Sequence, residues 1–307
     1  LPSADPLRTG LVVAGHGRHV LVETASGERL ICHSRGKRNE CLVGDRVDWV
    51  PTAPGSGEGV IDSIEPRRNL LHREDAWRSK AFAANLDQVW LLVAVEPPFS
   101  DVQLGRALIA ATAAGIPATI LLNKVDLPDA AVARRRLAPY RALGLDVLEV
   151  ALRRQPEASL GILAPRLKGR ITLVIGPSGV GKSSLVNLAV PDAGAQVGEI
   201  SKALNAGRHT TTATQWYWID PPGTDARAAL IDTPGFQSFG LQHLTVRDLV
   251  HCMPDIGERS AKCRFKDCSH DREPGCAVRA AVEAGELAAS RLQLFHALRS
   301  ELGQARY

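Results

Sequence analysis

One stretch limits the fold more than any other: "RITLVIGPSGVGKSSLVNLAV", Arg170 to Val190. A short apolar run, a glycine-rich turn and a helical run follow one another. The turn satisfies GxxxxGK[ST] between a strand and the start of a helix, the context in which that pattern works. Its glycines let the backbone of Gly176, Ser178, Gly179, Val180 and Gly181 turn amides toward phosphate oxygens. Lys182 supplies charge to the β and γ phosphates, and the Ser183 hydroxyl, with Ser184 beside it, stands where Mg²⁺ is ligated. A glycine-rich turn without function is the bland alternative, and the flanking strand and helix argue against it.

The surrounding text fits a parallel sheet covered on both faces. From about Leu71 apolar runs alternate with helical segments: "QVWLLVAV", "DVQLGRALIAATAAG", "PATILLNKVD", "PDAAVARRRLAPYRALG", "LDVLEV". Ligands of such sheets bind beyond the carboxyl ends of the strands, where the polar motifs of this chain fall.

Those motifs come in an unusual order. "NKVD" offers Asp126, whose carboxylate accepts from the ring NH and exocyclic amine of guanine, donors that adenine lacks. Asn123 reads or braces the loop, and the Lys124 stem covers the base face. "DTPG" follows the strand "ALI": Asp232 is placed to hold Mg²⁺ through a water and the Gly235 amide to sense the γ phosphate. Between them "GRHTTTATQW" supplies Thr210, Thr211 and Thr212, of which Thr211 is the candidate for closing over Mg²⁺. Base motif, phosphate loop, switch threonine, DTPG is a circularly permuted GTPase order. Such a sheet tolerates permutation when its original ends lie close together at the surface. Phe236 follows DTPG where many GTPases carry a water-orienting Gln, so His209 is the candidate for positioning or deprotonating water; its bland alternative is contact with RNA or solvent.

Before residue 70 the text changes period. "GLVVAGHG", "HVLVETASGERLICHS", "VGDRVDWVP" and "GVIDSIEP" alternate with period two between turn residues, which predicts a small OB-like barrel. Its loop "SRGKRNE" gathers Arg35, Lys37 and Arg38, read either as a solvated turn or as an RNA contact. After residue 240 the strand rhythm stops. "VRDLVHCMP" predicts a short helix, and "AAVEAGELAASRLQLFHALRSEL" a closing helix with Leu287, Arg291, Leu294, Leu298 and Leu302 on one stripe.

Between these helices lies "CRFKDCSHDREPGC". Six cysteines in 307 residues are too few for a disulfide framework, and three crowd into this segment. Cys263, Cys268, His270 and Cys276 form a closed three-thiolate, one-imidazole set suited to one structural zinc ion, with Cys252 an alternative to His270. The net charge of +4 permits nucleic-acid contact without requiring it, and no apolar run is long enough for a membrane span. The opening "LPSADPLRTG" shows no secretion pattern, so a cytoplasmic location is expected.

Over nearly its whole length the chain resembles the ribosome small subunit dependent GTPase A family (RsgA, also called YjeQ). The resemblance implies an OB-fold that binds the small ribosomal subunit, a GTPase centre, a zinc-finger domain and a role in late maturation of that subunit. One departure is "EVALRR", which has Ala151 where the family offers Ser to the base, leaving a backbone amide to substitute. The expected organisation is multidomain: residues 1–70 an OB-like barrel for rRNA, 71–240 an α/β P-loop GTPase with permuted motifs, and 241–307 an α-helical zinc-binding domain. The expected chemistry is hydrolysis of GTP to GDP and phosphate, stimulated by the small subunit, in a monomer. A GTP-sensing RNA clamp and a metal-delivery GTPase are the competing readings.

Overall fold

Alternating residues near the amino terminus close a barrel. The computed structural model describes residues 7–16, 19–35, 40–53, 55–75, 78–190, 193, 214–220, 227–233 and 239–304. Strand β1 (Arg8–His16) pairs with β2 (His19–Glu23), and β2 with β3 (Arg29–Ser34). β3 runs parallel to β5 (Glu58–Ile64), β5 pairs with β4 (Arg46–Pro51), and β4 returns to β1. The order 1-2-3-5-4-1 leaves this sheet no free edge, and Val12, Val20, Val22, Leu30, Val47, Trp49 and Ile61 fill it.

The α/β rhythm begins later than the sequence pattern suggests. Hairpin β6 (Leu70–Asp75) and β7 (Arg78–Ala84) comes first, a separate two-stranded ribbon. Its base is tied to the barrel by Ala84 N donating to Val43 O at 3.0 Å and Asn85 Nδ2 to Gly44 O at 2.9 Å. Strands β8 (Gln88–Ala94), β9 (Ala118–Asn123), β10 (Asp146–Val150), β11 (Ile171–Ile175), β12 (Gln215–Ile219) and β13 (Ala228–Asp232) then form the central sheet in the order β10-β9-β8-β11-β13-β12. All its pairings are parallel except β12–β13. The strands that precede β11 in the chain lie on one side of it and those that follow on the other, as the permuted motif order requires.

Helices cover both faces because the strands alternate two apolar sets. Val89, Leu91 and Val93 of β8 join the core under α1 (Asp101–Ala113) and α2 (Ala130–Ala142). Trp90, Leu92 and Ala94 join a second core under α3 (Pro156–Leu167) and α4 (Lys182–Ala189). Barrel and central sheet are continuous, since β1 pairs with β12 through Ala14 and Gln215. Trp218 Nε1 also donates to Glu23 Oε1 at 2.5 Å.

The carboxyl-terminal part is helical: α5 (Val246–His251), α6 (Pro254–Ser260), α7 (Ala277–Glu283) and α8 (Ala289–Gln304). The single closing helix expected from the apolar stripe is two. Gly285 takes φ +74° after α7, and the Glu286 and Leu287 amides donate back to Ala281 O, a left-handed stop that apolar spacing alone does not reveal. The stripe residues Leu287, Leu294, Leu298 and Leu302 are buried and belong to the core shared with α1 and β8. α8 lies so close to α1 that a Cβ on Gly105 would meet Leu294 Cδ2 at 2.2 Å. Among the described residues, no helix is long and apolar enough to cross a membrane.

Candidate functional site

The carboxyl ends of β8, β9, β11 and β13 bring the motifs together. After β11 the chain turns through Gly176–Gly181 into α4. Gly176 is required by proximity, because a Cβ there would stand 2.3 Å from Leu92 O. Gly181 is required twice: its φ is +112°, and a Cβ would strike Asn123 Nδ2 at 2.3 Å. Val180, fully buried, anchors the loop in the second core. Among the described residues no side chain caps the start of α4, so its first amides are placed to receive an anion.

Lys182 donates to Gly176 O at 2.6 Å and to Pro177 O at 3.0 Å, which holds the ammonium under the loop. Burial lowers its pKa, and Asp232 pulls it back upward. Burial raises the Asp232 carboxyl, and Lys182 offsets part of that rise. Oδ1 of Asp232 is buried with no hydrogen-bond partner among the described residues, an orphaned oxygen well suited to a cation or its water. Ser183 opens α4 next to Lys182, and Thr233 Oγ1 donates to Val174 O at 3.3 Å.

Asn123 is the hinge between base side and phosphate side. Its Nδ2 donates to Val180 O at 2.8 Å and its Oδ1 accepts from Leu152 N at 3.1 Å, so a single buried amide ties the phosphate loop to both base-side loops. Lys124 takes φ +63° and its Nζ donates to Glu96 O at 2.5 Å. Asp126 lines a cleft of about 340 Å³ with Asn123, Lys124, Leu152, Gly179 and Ser184. Arg153 and Arg154 line the same cleft, and Arg153 Nε donates to Ser184 Oγ at 3.3 Å. Sequence reading singled out neither arginine. The Ala151 amide does not stand free: it donates to Ser159 Oγ at 3.1 Å.

His209, Thr211 and Gly235, together with Thr210, Thr212 and Phe236, lie outside the described residues, as do Lys37 and Arg38 of the barrel loop. Arg35 of that loop pairs with Asp62 at 2.5 Å.

Beyond α6, the ligand atoms of Cys263, Cys268, His270 and Cys276 lie within 4.8 Å of one another. Cys252 is buried elsewhere and is not in this group. His270, with φ +64°, turns Nδ1 toward the Cys263 and Cys276 sulfurs at 3.6 and 3.4 Å. Its Nε2 is 2.9 Å from Ser260 Oγ, which in turn donates to Ile256 O at 2.8 Å. That chain fixes the ring with Nδ1 as the inward-facing atom, the outer-shell arrangement common to metal-binding histidines. Burial lowers the His270 pKa and so favours the neutral imidazole that binds metals. Burial, with the Cys276 and Cys263 thiols behind it, pushes Cys268 up to about 12, so three thiolates gathered here call for a compensating cation. The donor set fits a metal ion. Ser260 carries no sequence signal as a partner, because only folding brings it beside His270.

A family model described as RsgA GTPase matches residues 64–242. The chain is 51% identical over 310 residues to the small ribosomal subunit biogenesis GTPase RsgA of Variovorax paradoxus (strain S110), covering 99% of this chain and 96% of that protein. It is 50% identical over 297 residues to the protein of the same name from Burkholderia pseudomallei (strain K96243), covering 96% and 92%. Among solved structures it resembles YjeQ from Thermotoga maritima, with a TM-score of 0.70 and 32% identity over 97% of this chain and 99% of that one. It also resembles YloQ, a circularly permuted GTPase, with a TM-score of 0.68 and 28% identity over 98% and 97%. With the permuted sheet, the phosphate loop and the Cys3His cluster in one chain, and relatives matching almost end to end, the protein belongs to the RsgA GTPase family.

Proposed function

We propose that this protein binds GTP across the Asn123 hinge, hydrolyses it to GDP and phosphate on the small ribosomal subunit late in that subunit's maturation, and uses hydrolysis to leave. The observation that carries the reading is Asn123 itself, which couples a base cleft lined by Asp126 to the loop of Lys182. Asp126 selects guanine by accepting its two N–H donors. Lys124 covers the base, and the amides of Gly176 to Gly181, with Ser184, receive the phosphates. Ser183, Asp232 and Thr211 are the residues that would hold Mg²⁺, which when bound neutralises charge on the β and γ oxygens. Lys182 and the Gly235 amide stabilise the same charge from the protein side, and His209 positions the attacking water once its segment closes.

Cys263, Cys268, His270 and Cys276 would hold one structural zinc ion, a closed set with no open position for cargo exchange. The working division is a barrel at 1–70 that meets rRNA, a GTPase at 71–240 and a zinc-binding domain at 241–307, in a cytoplasmic monomer. Phe236 leaves water without an amide to orient it, so intrinsic turnover is slow and the subunit supplies the missing order.

The test is GTP hydrolysis measured with and without purified small subunits, beside Asp126→Asn assayed with GTP and xanthosine triphosphate. The expected results are stimulation of at least about ten-fold and a shift of the variant toward the xanthine nucleotide. Equal rates with and without subunits reject the ribosomal role. Undiminished GTP preference in the variant rejects the base assignment.

A further inference from the structure

The loop that closes the base cleft carries Ala151 and Leu152, and a hydroxyl from another element holds the first of their amides. Ser159 lies one turn into α3, 2% exposed, and does not itself line the cleft. A serine inside a helix ordinarily turns its hydroxyl to solvent or back on its own helix. Here its Oγ accepts from the Ala151 amide at 3.1 Å. The helix start adds one backbone bond to the same loop, Gln155 N donating to Ala151 O at 2.7 Å, and Ser159 N closes the first helical turn on Gln155 O at 3.0 Å. From there the path runs through the next residue, since Leu152 N donates to Asn123 Oδ1 and Asn123 Nδ2 to Val180 O. Ala151 is 3% exposed and Leu152 4%, so both amides need protein partners.

We propose that Ser159 is a positioning residue for guanine recognition, its hydroxyl holding the Ala151–Leu152 loop in register with Asn123 and Asp126. The proposal rests on the reading of the cleft as the guanine site. Loss of the hydroxyl orphans a buried amide, and the loop can recover a partner only by moving, which misplaces the wall of the base cleft. Among the described residues Ser159 makes no direct hydrogen bond to the phosphate loop or Lys182, so its loss falls first on the base side of the site.

The experiment titrates fluorescent GDP and ADP into wild type, Ser159→Ala and Ser159→Thr, with single-turnover GTP hydrolysis and thermal melting on each. Ser159→Ala is expected to weaken GDP binding by about ten-fold, the scale of one unpaired buried amide. ADP affinity falls by less than about three-fold, so discrimination between the two nucleotides narrows. Ser159→Thr, which keeps the acceptor oxygen, is expected to bind GDP within about three-fold of wild type. Equal losses for GDP and ADP would mean a merely structural role and overturn the proposal, as would a threonine variant as weak as alanine. Asp126→Asn run alongside separates the two readings. If it shifts preference to xanthine while Ser159→Ala binds GDP normally, this inference alone falls. If Asp126→Asn keeps guanine preference, the base site itself is misassigned.

Discussion

Arg291 of α8 sets its Nε 2.6 Å and its Nη2 3.0 Å from the two carboxylate oxygens of Asp255 in α6, with both side chains 6% exposed. The guanidinium also lies 5.6 Å from the ring centre of Tyr140 in α2, so one buried cation joins two of the C-terminal helices to the central sheet's cover. Removing one partner of a buried, bidentate pair leaves the other charge desolvated and unpaired. Arg291→Met is therefore expected to destabilise the protein by about 3–5 kcal/mol, whereas Asp255→Leu with Arg291→Met together costs less than either alone. Urea unfolding followed by circular dichroism decides it; a double variant as unstable as the sum of the singles would show that the pair acts through packing.

His72 of hairpin β6–β7 and His243 of the segment before α5 meet as tilted rings with centres 4.7 Å apart. Burial lowers both pKa values; His243 lowers His72 further, whereas Asp248 and a backbone hydrogen bond with Gly240 partly offset the fall at His243. The folded state then holds fewer protons than the unfolded one below the ordinary value of 6.5. Stability contributed by the neutral pair is present above that value and is lost as pH falls through the lower folded values. Melting temperature should drop between about pH 7 and pH 5, and His243→Gln should flatten part of that slope. An unaltered slope in the variant counts against the pair.

Metal removal should split the molecule along its two cores. The C-terminal helices share the core beneath α1, whereas the core that contains Val180 and Leu185 draws only on the central sheet, α3, α4 and their connections. Ligand binding at a gathered site becomes folding energy. Cys268→Ala should lose stoichiometric zinc and melt α5 to α8, yet still bind GDP within about three-fold, since the phosphate loop rests on the second core. Zinc retained at one equivalent would refute the ligand set.

Local signals made much of this legible. Period-two alternation carried the barrel strands, and the motifs carried the site, because glycine spacing and cysteine crowding are written in adjacent residues. What escaped depends on contacts between distant residues. Hairpin β6–β7 was hidden because "LLHRED" and "RSKAFAA" do not alternate cleanly and lean on the barrel through Val43 and Gly44. The α7–α8 break was hidden because Leu287 continues the apolar spacing past Gly285. Arg291 sits on the apolar stripe by spacing alone, and only its partner Asp255 explains a buried charge there. Ser159 and Ser260 look like any helical serine until the fold sets one against Ala151 and the other against His270.

Arg106 of α1 joins the segment after DTPG to the closing helix α8. Its Nη1 donates to Phe239 O at 3.1 Å and to Glu301 Oε1 at 2.9 Å, and its Nη2 pairs with Glu301 Oε2. Phe239 follows the DTPG segment by four residues, and Glu301 is on the last turns of α8. Under the proposed function, a γ phosphate bound at Gly235 would be linked through the chain to Phe239 and this guanidinium to α8. If the proposed function holds, GTP and the small subunit then favour the same arrangement. Reciprocity requires that the factor by which GTP raises subunit affinity equal the factor by which the subunit raises GTP affinity, commonly about 5- to 150-fold. Arg106→Met should shrink that factor to within about two-fold while leaving GDP binding to the free protein intact. Subunit affinity measured with GDP and with a non-hydrolysable GTP analogue, in wild type and variant, gives the answer. A wild-type factor of one rejects the coupling; a variant that keeps the wild-type factor shows that the signal reaches α8 by another route.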